Sequence, residues 1–354
     1  MIRCLYPERW LGFDIDLNPE KGVNRGLGGG MSVKVSRMLE VLSERYLVGA
    51  GTLSDVKDGE LILVDPLWFT LDVKAPPQEG ETPEAYASRQ KQYVNERADH
   101  LLGRSNPIAL CCSELELMRW GKSFRRRVLG RVDVVTSNCE FQRDVFSYYG
   151  VPRPLILTDP VPESLFTPDL REGADPARRV VASGQIAWYK NSGGMASVLE
   201  MVLDAVDDAE AVYLGSASLW DPADAAAGKK YEDQMRRVCG RDNVRTVKSR
   251  DVALELSKAK AFYIDTYHDT FSLGMAEAMM CGTPVVSGPH GLSRERLCKR
   301  GDTGAEQAAH LEAVLTMSGK EWWDLAERTA AEALSKFSYA AFHTQFERVI
   351  GELS

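Results

Sequence analysis

The stretch with the clearest chemical content runs from Asp269 to Ser287 and reads DTFSLGMAEAMMCGTPVVS. An acidic residue opens a short polar loop, and small and apolar residues then predict a helix that begins near Ser272 and contains one carboxylate, Glu277. The free N–H groups at the start of a helix bind anions, because unpaired donors and the helix dipole act together. Glu277 follows about 7.5 Å along the axis, an offset that suits ribose hydroxyls of a nucleotide whose phosphates lie at the helix end.

The same pattern also has a plainer interpretation. From periodicity alone, an ordinary, partly exposed helix glutamate is the preferred reading of Glu277. Gly274 is expected to let a ligand approach the backbone closely, and Gly282 fits the position after a helix that needs a positive φ.

The elements that must position this segment alternate along the chain. Apolar β-type runs and helical patterns follow one another almost throughout, which indicates parallel strands joined by crossover helices. Ten strands are predicted, at MIRCLY, RYLVGAG, LILVDP, PIALCC, VDVVTS, RVVASG, EAVYLG, NVRTVK, KAFYIDT and TPVVSG. The proline- and charge-rich stretch between the fifth and sixth strands is typical of a domain connector. We therefore predict an α/β protein with two Rossmann-like domains, 1–160 and 161–336, and ligands at the carboxyl ends of the strands.

Composition narrows the class of protein. The chain has 354 residues, a net charge of −8 and seven irregularly spaced cysteines, with no CxxC pair. Its apolar runs are far shorter than the roughly 20 residues of a membrane span, and its start is too polar for a secretory signal, so a cytoplasmic location is expected. The acidic charge disfavours a generic nucleic-acid coat protein. HExxH, a His/Cys quartet and a Walker A lysine are all absent from the sequence, so we expect neither a metal ion nor a cofactor.

The segment around Glu277 resembles the nucleotide-binding signature of the retaining GT-B-fold glycosyltransferases of family four, the glycosyl transferases group 1 type. In that signature an acid is followed by seven residues and then by Glu-Ala-Met-x-x-Gly-x-Pro-Val-Val. Asp269 and Glu277 occupy the two acidic places, although the family usually has glutamate in the first. VASGQIAWYKN resembles the loop in which an arginine and a lysine bind the donor diphosphate. Lys190 stands at the lysine place, but Gln185 replaces the arginine.

The resemblance covers nearly the whole chain and implies a fold, an activity and a set of residues. The fold is GT-B: two Rossmann-like domains facing a central cleft, with a C-terminal helix, 337–354, that crosses back to the first domain. The activity is metal-independent transfer of a hexosyl or pentosyl group from a UDP- or GDP-linked sugar to an acceptor, with retention of anomeric configuration. The implied catalytic residues are Lys190, Asp269 and Glu277. The implied donor-binding residues are Gly29, Gly30, Gln185, Lys190, His268, Asp269, Phe271, Ser272, Leu273 and Glu277.

Two further segments are interpreted by comparison with this family. NRGLGGGMSV fails as a dinucleotide fingerprint because Met31 stands where glycine or alanine is required. It is instead expected to be a loop whose amides face the donor, with a mobile surface turn as the alternative. Arg25 or Lys34 is a candidate to supply the charge lost at Gln185. ALCCSELELMRW lies where the family often has a His-Asp pair.

In the segment ALCCSELELMRW, Ser113 and Glu114 stand in the place of that His-Asp pair. Glu114 is a candidate to orient the acceptor or the sugar, and an ordinary helix start with Ser113 as N-cap is an equally good interpretation. The basic run from Lys122 to Arg131 is expected to be a solvated helix face, with an anionic acceptor or a membrane surface as the minority alternative.

Two functions compete with glycosyl transfer. One is a nonenzymatic protein that binds a nucleotide-sugar or glycan, motivated by Gln185, Asp269 and the missing His-Asp pair. The other is a transferase that glycosylates modified DNA bases, for which the acidic net charge is unfavourable. The acceptor is accordingly open among a glycan, a small molecule, a lipid-linked molecule and modified DNA.

Overall fold

The computed structural model describes residues 1–5, 30–69, 78–112, 115–168, 176–184, 191–214, 233–235, 237–247, 252–267, 269–294 and 298–353. Contacts divide the chain into two compact units. The first consists of Met1–Pro160 and Phe342–Ser354, and the second of Val161–Ala341.

The first unit is built on a six-stranded sheet in which every neighbouring pair is parallel. Its strands are β1 (Ile2–Leu5), β2 (Val48–Ala50), β3 (Leu61–Val64), β4 (Ile108–Cys111), β5 (Val134–Ser137) and β6 (Leu155–Ile156). They lie in the order β2-β1-β3-β4-β5-β6. Parallel strands need crossover connections, which here contain helices α1 (Gly30–Ser43), α2 (Pro83–Leu102), α3 (Glu116–Arg119), α4 (Lys122–Leu129) and α5 (Glu140–Tyr148).

Helix α1 shows how the apolar pattern sets the packing of this unit. Val35, Met38 and Leu42 recur at helical spacing, and all three are buried. Leu39 is half-buried, whereas Val41 is fully buried. The buried stripe of the helix therefore includes Val41 and excludes Leu39.

The second unit repeats the plan. Its strands are β7 (Arg179–Ser183), β8 (Glu210–Leu214), β9 (Val244–Val247), β10 (Ala261–Ile264), β11 (Val285–Ser287) and β12 (Cys298–Arg300). They form a parallel sheet in the order β12-β11-β10-β7-β8-β9. The labelled helices of this unit are α6 (Ser192–Ala205), α7 (Val252–Lys258), α8 (Leu273–Met280), α9 (Gly304–Thr316) and α10 (Gly319–Phe337). Strand β10 is central, so its carboxyl end lies in the middle of the sheet edge.

The last helix, α11 (Tyr339–Glu352), packs on the first unit. Phe342 and Phe346 are fully buried, and the Phe346 ring lies 5.5 Å from that of Tyr46, measured between centroids. The side chain of Gln345 accepts a hydrogen bond from the Thr158 N–H at 2.8 Å. The predicted return of the C-terminal helix to the first domain is confirmed by these contacts.

All ten predicted strands are present, and the structure adds β6 and β12. Strand β6 lies in the proline-rich stretch that was assigned entirely to a connector, and β12 has the sequence Cys-Lys-Arg. Both are edge strands of two or three residues. Strands of two or three residues are too short to show an alternating pattern, so periodicity did not reveal them.

Candidate functional site

Helix α8 begins at the sheet edge that follows β10. Ser272 is its N-cap, and the Ser272 hydroxyl accepts a hydrogen bond from the Met275 N–H at 3.4 Å. Ser272 is buried, so this cap is shielded from water. The N–H groups of Leu273 and Gly274 belong to the first turn and have no acceptor within the helix. The helix start therefore offers two backbone donors for an anion.

The end of α8 is fixed by Gly282. Its φ is +72°, as predicted, and its N–H donates to the Met279 carbonyl at 2.9 Å. The Thr283 N–H donates to the Ala278 carbonyl at 2.8 Å. These two bonds form a Schellman motif, in which the residue after the helix is left-handed. A Cβ at Gly282 would also lie 3.2 Å from the Ala326 carbonyl oxygen, so both conformation and space favour glycine.

Gly274 has a role in packing, and its predicted role in the close approach of a ligand stays a prediction. A Cβ at this position would lie 2.9 Å from the Ser183 Oγ and 3.2 Å from the Phe262 ring. The close approach that the structure shows is thus between α8 and the strands β7 and β10. Gly274 lets the helix start sit tightly on the carboxyl ends of two neighbouring strands.

Several predicted donor-binding residues lie along this one segment. Glu277 and Asp269 are half-buried. The Asp269 carbonyl accepts the Gly291 N–H at 3.3 Å. Phe271 packs edge-on against Phe337 with 5.5 Å between ring centroids. The segment is therefore held by the protein on both sides of the helix start, and the roles assigned to its side chains stay predictions.

A polar network around the buried side chain of Asp265, which the sequence did not predict, lies beside this segment. Asp265 directly follows β10 and is 6% exposed. Its Oδ2 accepts a hydrogen bond from the Asn191 Nδ2 at 2.5 Å, and it also bonds to Gln307. The Tyr267 hydroxyl donates to the Asn191 Oδ1 at 2.9 Å, and the Tyr263 hydroxyl donates to the Gln307 Oε1 at 2.6 Å. One buried carboxylate thus joins the ends of two strand-helix loops.

Burial raises the pKa of Asp265, and the bonds from Asn191 and Gln307 oppose that shift. The network also accounts for two neighbouring glycines. A Cβ at Gly288 would lie 1.8 Å from the Asp265 Oδ1, and one at Gly194 would lie 2.4 Å from the Asn191 Nδ2. A side chain at either position would displace the network.

Asn191 has left-handed backbone angles, φ 43° and ψ 40°, and caps the start of α6 without a side-chain capping bond. Its side chain is used for Asp265 instead, and asparagine adopts this conformation more readily than most residues. On the other side of the same loop, the Tyr213 hydroxyl donates to the Gly184 carbonyl at 2.7 Å. Both residues that flank 185–190 are therefore tied to the carboxyl edge of the second sheet.

Many predicted site residues lie outside the described part of the chain, and their roles stay predictions. These residues are Gly29, Ser113, Glu114, Gln185, Lys190 and His268. Gly30 is described as the first residue of α1. Of the two cations proposed to replace the missing arginine, Arg25 is also outside, whereas the Lys34 Nζ lies 2.5 Å from the Asp159 Oδ1. Both partners of this ion pair are buried, so the charge of Lys34 is neutralised within the first unit.

Among the described residues, no group of three or more His, Cys, Asp and Glu side chains is arranged to hold a metal ion. In the same part of the chain, no helix combines the length and the apolar character needed to cross a bilayer. The seven cysteines are free thiols. Burial raises the pKa of Cys111 to about 12, so that side chain is a protonated thiol at neutral pH.

Residues 177–316 match the family model described as Glycosyl transferases group 1. This range includes β7, Asn191, Asp265 and the whole Asp269–Ser287 segment. The matched range lies within the second unit, Val161–Ala341. No curated protein sequence matches the chain.

Solved structures show the same fold for most of the chain. Sucrose-phosphate synthase from Thermosynechococcus elongatus is similar with a TM-score of 0.64 and 15% identity, over 92% of this chain and 94% of that one. HepE of Anabaena, in complex with UDP and glucose, has a TM-score of 0.59 and 13% identity, over 88% of each chain. TarM has a TM-score of 0.59 and 12% identity over 85% of this chain, which spans 56% of TarM. These likenesses and the two parallel sheets confirm the GT-B fold around the glycosyltransferase domain.

Proposed function

We propose that the protein transfers a sugar from a nucleotide-sugar donor to an acceptor with retention of anomeric configuration. The observation that carries this proposal is the start of α8. Two N–H groups that have no acceptor within their helix lie there, at the carboxyl end of a central strand, and a half-buried carboxylate, Glu277, follows in the same helix. In open parallel sheets this edge is where nucleotides bind.

Each group in the segment has a distinct part in the proposal. The N–H groups of Leu273 and Gly274 bind the donor phosphates, and Glu277 accepts hydrogen bonds from the ribose hydroxyls. Asp269 holds the sugar. Lys190 provides positive charge to the diphosphate that leaves, and this charge is most useful in the transition state, when the phosphate becomes more negative.

A UDP- or GDP-linked sugar is the proposed donor. The family match over 177–316 supports it, and so does the structural likeness to HepE, which was solved in complex with UDP-glucose. Retention follows from the family resemblance. The acceptor attacks the face from which the diphosphate departs, and the leaving phosphate takes the acceptor proton, so no protein nucleophile is required. The proposal needs no metal ion and no cofactor besides the donor.

Thermal unfolding in the presence of UDP, GDP, ADP and their sugar conjugates tests the donor site. A ligand that binds only the folded state increases the free energy of unfolding, by about 2.7 kcal/mol at a ligand concentration one hundred times Kd, and so raises the melting temperature. Glu277→Gln should reduce this rise for the preferred nucleotide. Glu327→Gln, at an exposed position on α10, is the matched control and should behave like the wild type.

The proposal fails if none of these nucleotides changes the melting temperature, or if both variants respond like the wild type. Release of UDP or GDP in the presence of candidate acceptors then separates an enzyme from a binding protein. Turnover that disappears in Lys190→Ala while the protein stays folded supports the transferase. Binding with no turnover across the donor panel supports the nonenzymatic alternative.

A further inference from the structure

A cavity of about 260 Å³ lies in the first unit, lined in part by Thr52, Ser54, Trp68, Arg97 and His100. Thr52 and Ser54 follow β2, and Trp68 follows β3, so the cavity is formed by two strand-to-strand connections and helix α2. None of these residues belongs to the predicted donor or acceptor sites.

One wall of the cavity carries positive charge. Arg97 and His100 are three residues apart on α2 and therefore share a face of that helix. The Arg97 guanidinium lies over the Trp68 ring, 4.5 Å from its centroid. Its Nη1 also donates a hydrogen bond to the Trp68 carbonyl at 2.6 Å. Trp68 is buried, so the guanidinium is held in one orientation before any ligand arrives.

Thr52 and Ser54 supply hydroxyl oxygens to the lining. The Thr52 hydroxyl donates to the Asp55 Oδ2 at 2.9 Å. Its single proton is thereby used, so in the 2.6 Å contact between the Thr52 and Ser54 hydroxyls it is Ser54 that donates. The Ser54 oxygen is then left to accept a hydrogen bond. Asp55 also accepts the Thr52 N–H at 2.7 Å, so its carboxylate is bound to the loop itself.

This loop is anchored in the described structure. Arg104 donates from Nη2 to the Leu53 carbonyl at 2.9 Å and from Nη1 to the Val56 carbonyl at 3.1 Å. Bonds of this kind fix the main chain on both sides of Ser54. The wall is therefore formed without a ligand, which lowers the entropy cost of binding.

We propose that this cavity binds a small hydroxylated anion, a phosphate monoester of a sugar or polyol. The phosphate lies against Arg97 and His100, because a guanidinium binds phosphate oxygens in pairs and an imidazole N–H is a further donor. A ligand hydroxyl donates to the Ser54 oxygen. The volume of about 260 Å³ lies below the range of about 300–1,000 Å³ that is usual for larger ligands, which favours a small ligand. The assignment does not depend on the donor proposal.

Titrations of the full chain with inorganic phosphate, ribose 5-phosphate and ribose test the site. Calorimetry gives Kd, and the indole N–H signal of Trp68, assigned with Trp68→Phe, reports the location. We expect ribose 5-phosphate to bind more tightly than phosphate and ribose not to bind. Arg97→Gln and His100→Gln should each raise Kd for ribose 5-phosphate roughly tenfold, the effect of losing one charge-assisted hydrogen bond.

Lys91→Gln is the matched control, since it removes a cation at an exposed position of the same helix. It should leave Kd unchanged. His100→Gln keeps the test decisive if Arg97→Gln lowers the melting temperature, because His100 is exposed and has no part in holding Trp68. The assignment is overturned if ribose 5-phosphate does not bind, if ribose binds equally well, or if the two site variants match the control.

Discussion

The Nδ2 of Asn191 lies 2.5 Å from the Oδ2 of Asp265, and this contact joins the loops that follow β7 and β10. Asn191 directly follows Lys190, and Asp265 lies four residues before Asp269. Strands β7 and β10 are paired neighbours, and this part-buried hydrogen bond adds a side-chain link between the loops that follow them. A positioning role of this kind is independent of any direct contact with the donor.

Asp265→Ala should remove the side-chain link between the two loops. We expect it to destabilise the second unit by about 1–3 kcal/mol, because the Asn191 and Gln307 amides lose their shared acceptor. The nucleotide-dependent rise in melting temperature should also shrink. Asp265→Asn keeps an acceptor oxygen and should retain most of both properties. Equal nucleotide responses in wild type, Asp265→Ala and Asp265→Asn would contradict a positioning role.

The stability difference between wild type and Asp265→Asn should depend on pH. Burial raises the pKa of Asp265 in the folded protein, so the folded state holds this proton more tightly than the unfolded chain does. The resulting contribution to stability is complete below the unfolded value of about 3.9 and is lost as pH rises through the folded value. Asp265→Asn should therefore gain stability relative to wild type as pH increases from about 4. Denaturation midpoints at several pH values measure this, and a constant difference would contradict it.

Removing only one partner of the buried ion pair of Lys34 and Asp159 should lower the free energy of unfolding substantially. Asp159→Ala leaves the Lys34 ammonium buried without this partner, and the expected loss is about 3–5 kcal/mol. Replacing both residues in Lys34→Met/Asp159→Leu removes both charges and should cost clearly less than Asp159→Ala alone. Chemical denaturation measures all three proteins. A double variant that is less stable than the single one would show that the pair is a net source of stability.

Gly282→Ala should test the end of α8. The left-handed conformation costs about 1–2 kcal/mol for a residue with a Cβ, and here the Cβ would also crowd the Ala326 carbonyl. Gly59 has a similar φ of +78°, but a Cβ added there would meet no atom within 4 Å. Gly59→Ala is thus the control for conformation alone. The loss in thermal stability should be larger for Gly282→Ala, and equal losses would remove the steric part of the argument.

The ion pair of Glu81 and Arg89, at the start of α2, should stabilise the fold less in acid. Arg89 donates to both carboxylate oxygens of Glu81, at 2.8 and 2.6 Å, and this lowers the pKa of Glu81 to about 2. Its contribution to stability is present above the unfolded value of about 4.3 and is lost as pH falls towards 2. The difference in melting temperature between wild type and Glu81→Gln should shrink over that range. Glu84→Gln, at an exposed position in the first turn of α2, should show no comparable trend.

The amino-acid sequence by itself determined the alternation of strands and helices and the position of the helix that begins after Ser272. These features depend on local periodicity, on capping residues and on Gly282, whose effects act within a few residues. The same local signals placed Glu277 inside the helix. They did not find β6 and β12, because two or three residues are too few to show a periodic pattern.

Only the tertiary structure decided which distant side chains meet. Asn191 and Asp265 are 74 positions apart, and Arg97 and Trp68 are 29 apart. Strand order brings each pair together, and sequence spacing carries no information about strand order. Tertiary packing also explains why position 274 is glycine, since a Cβ there would crowd Ser183 on β7 and Phe262 on β10. Local propensity is a short-range property, whereas a site at a sheet edge is assembled from the ends of several strands.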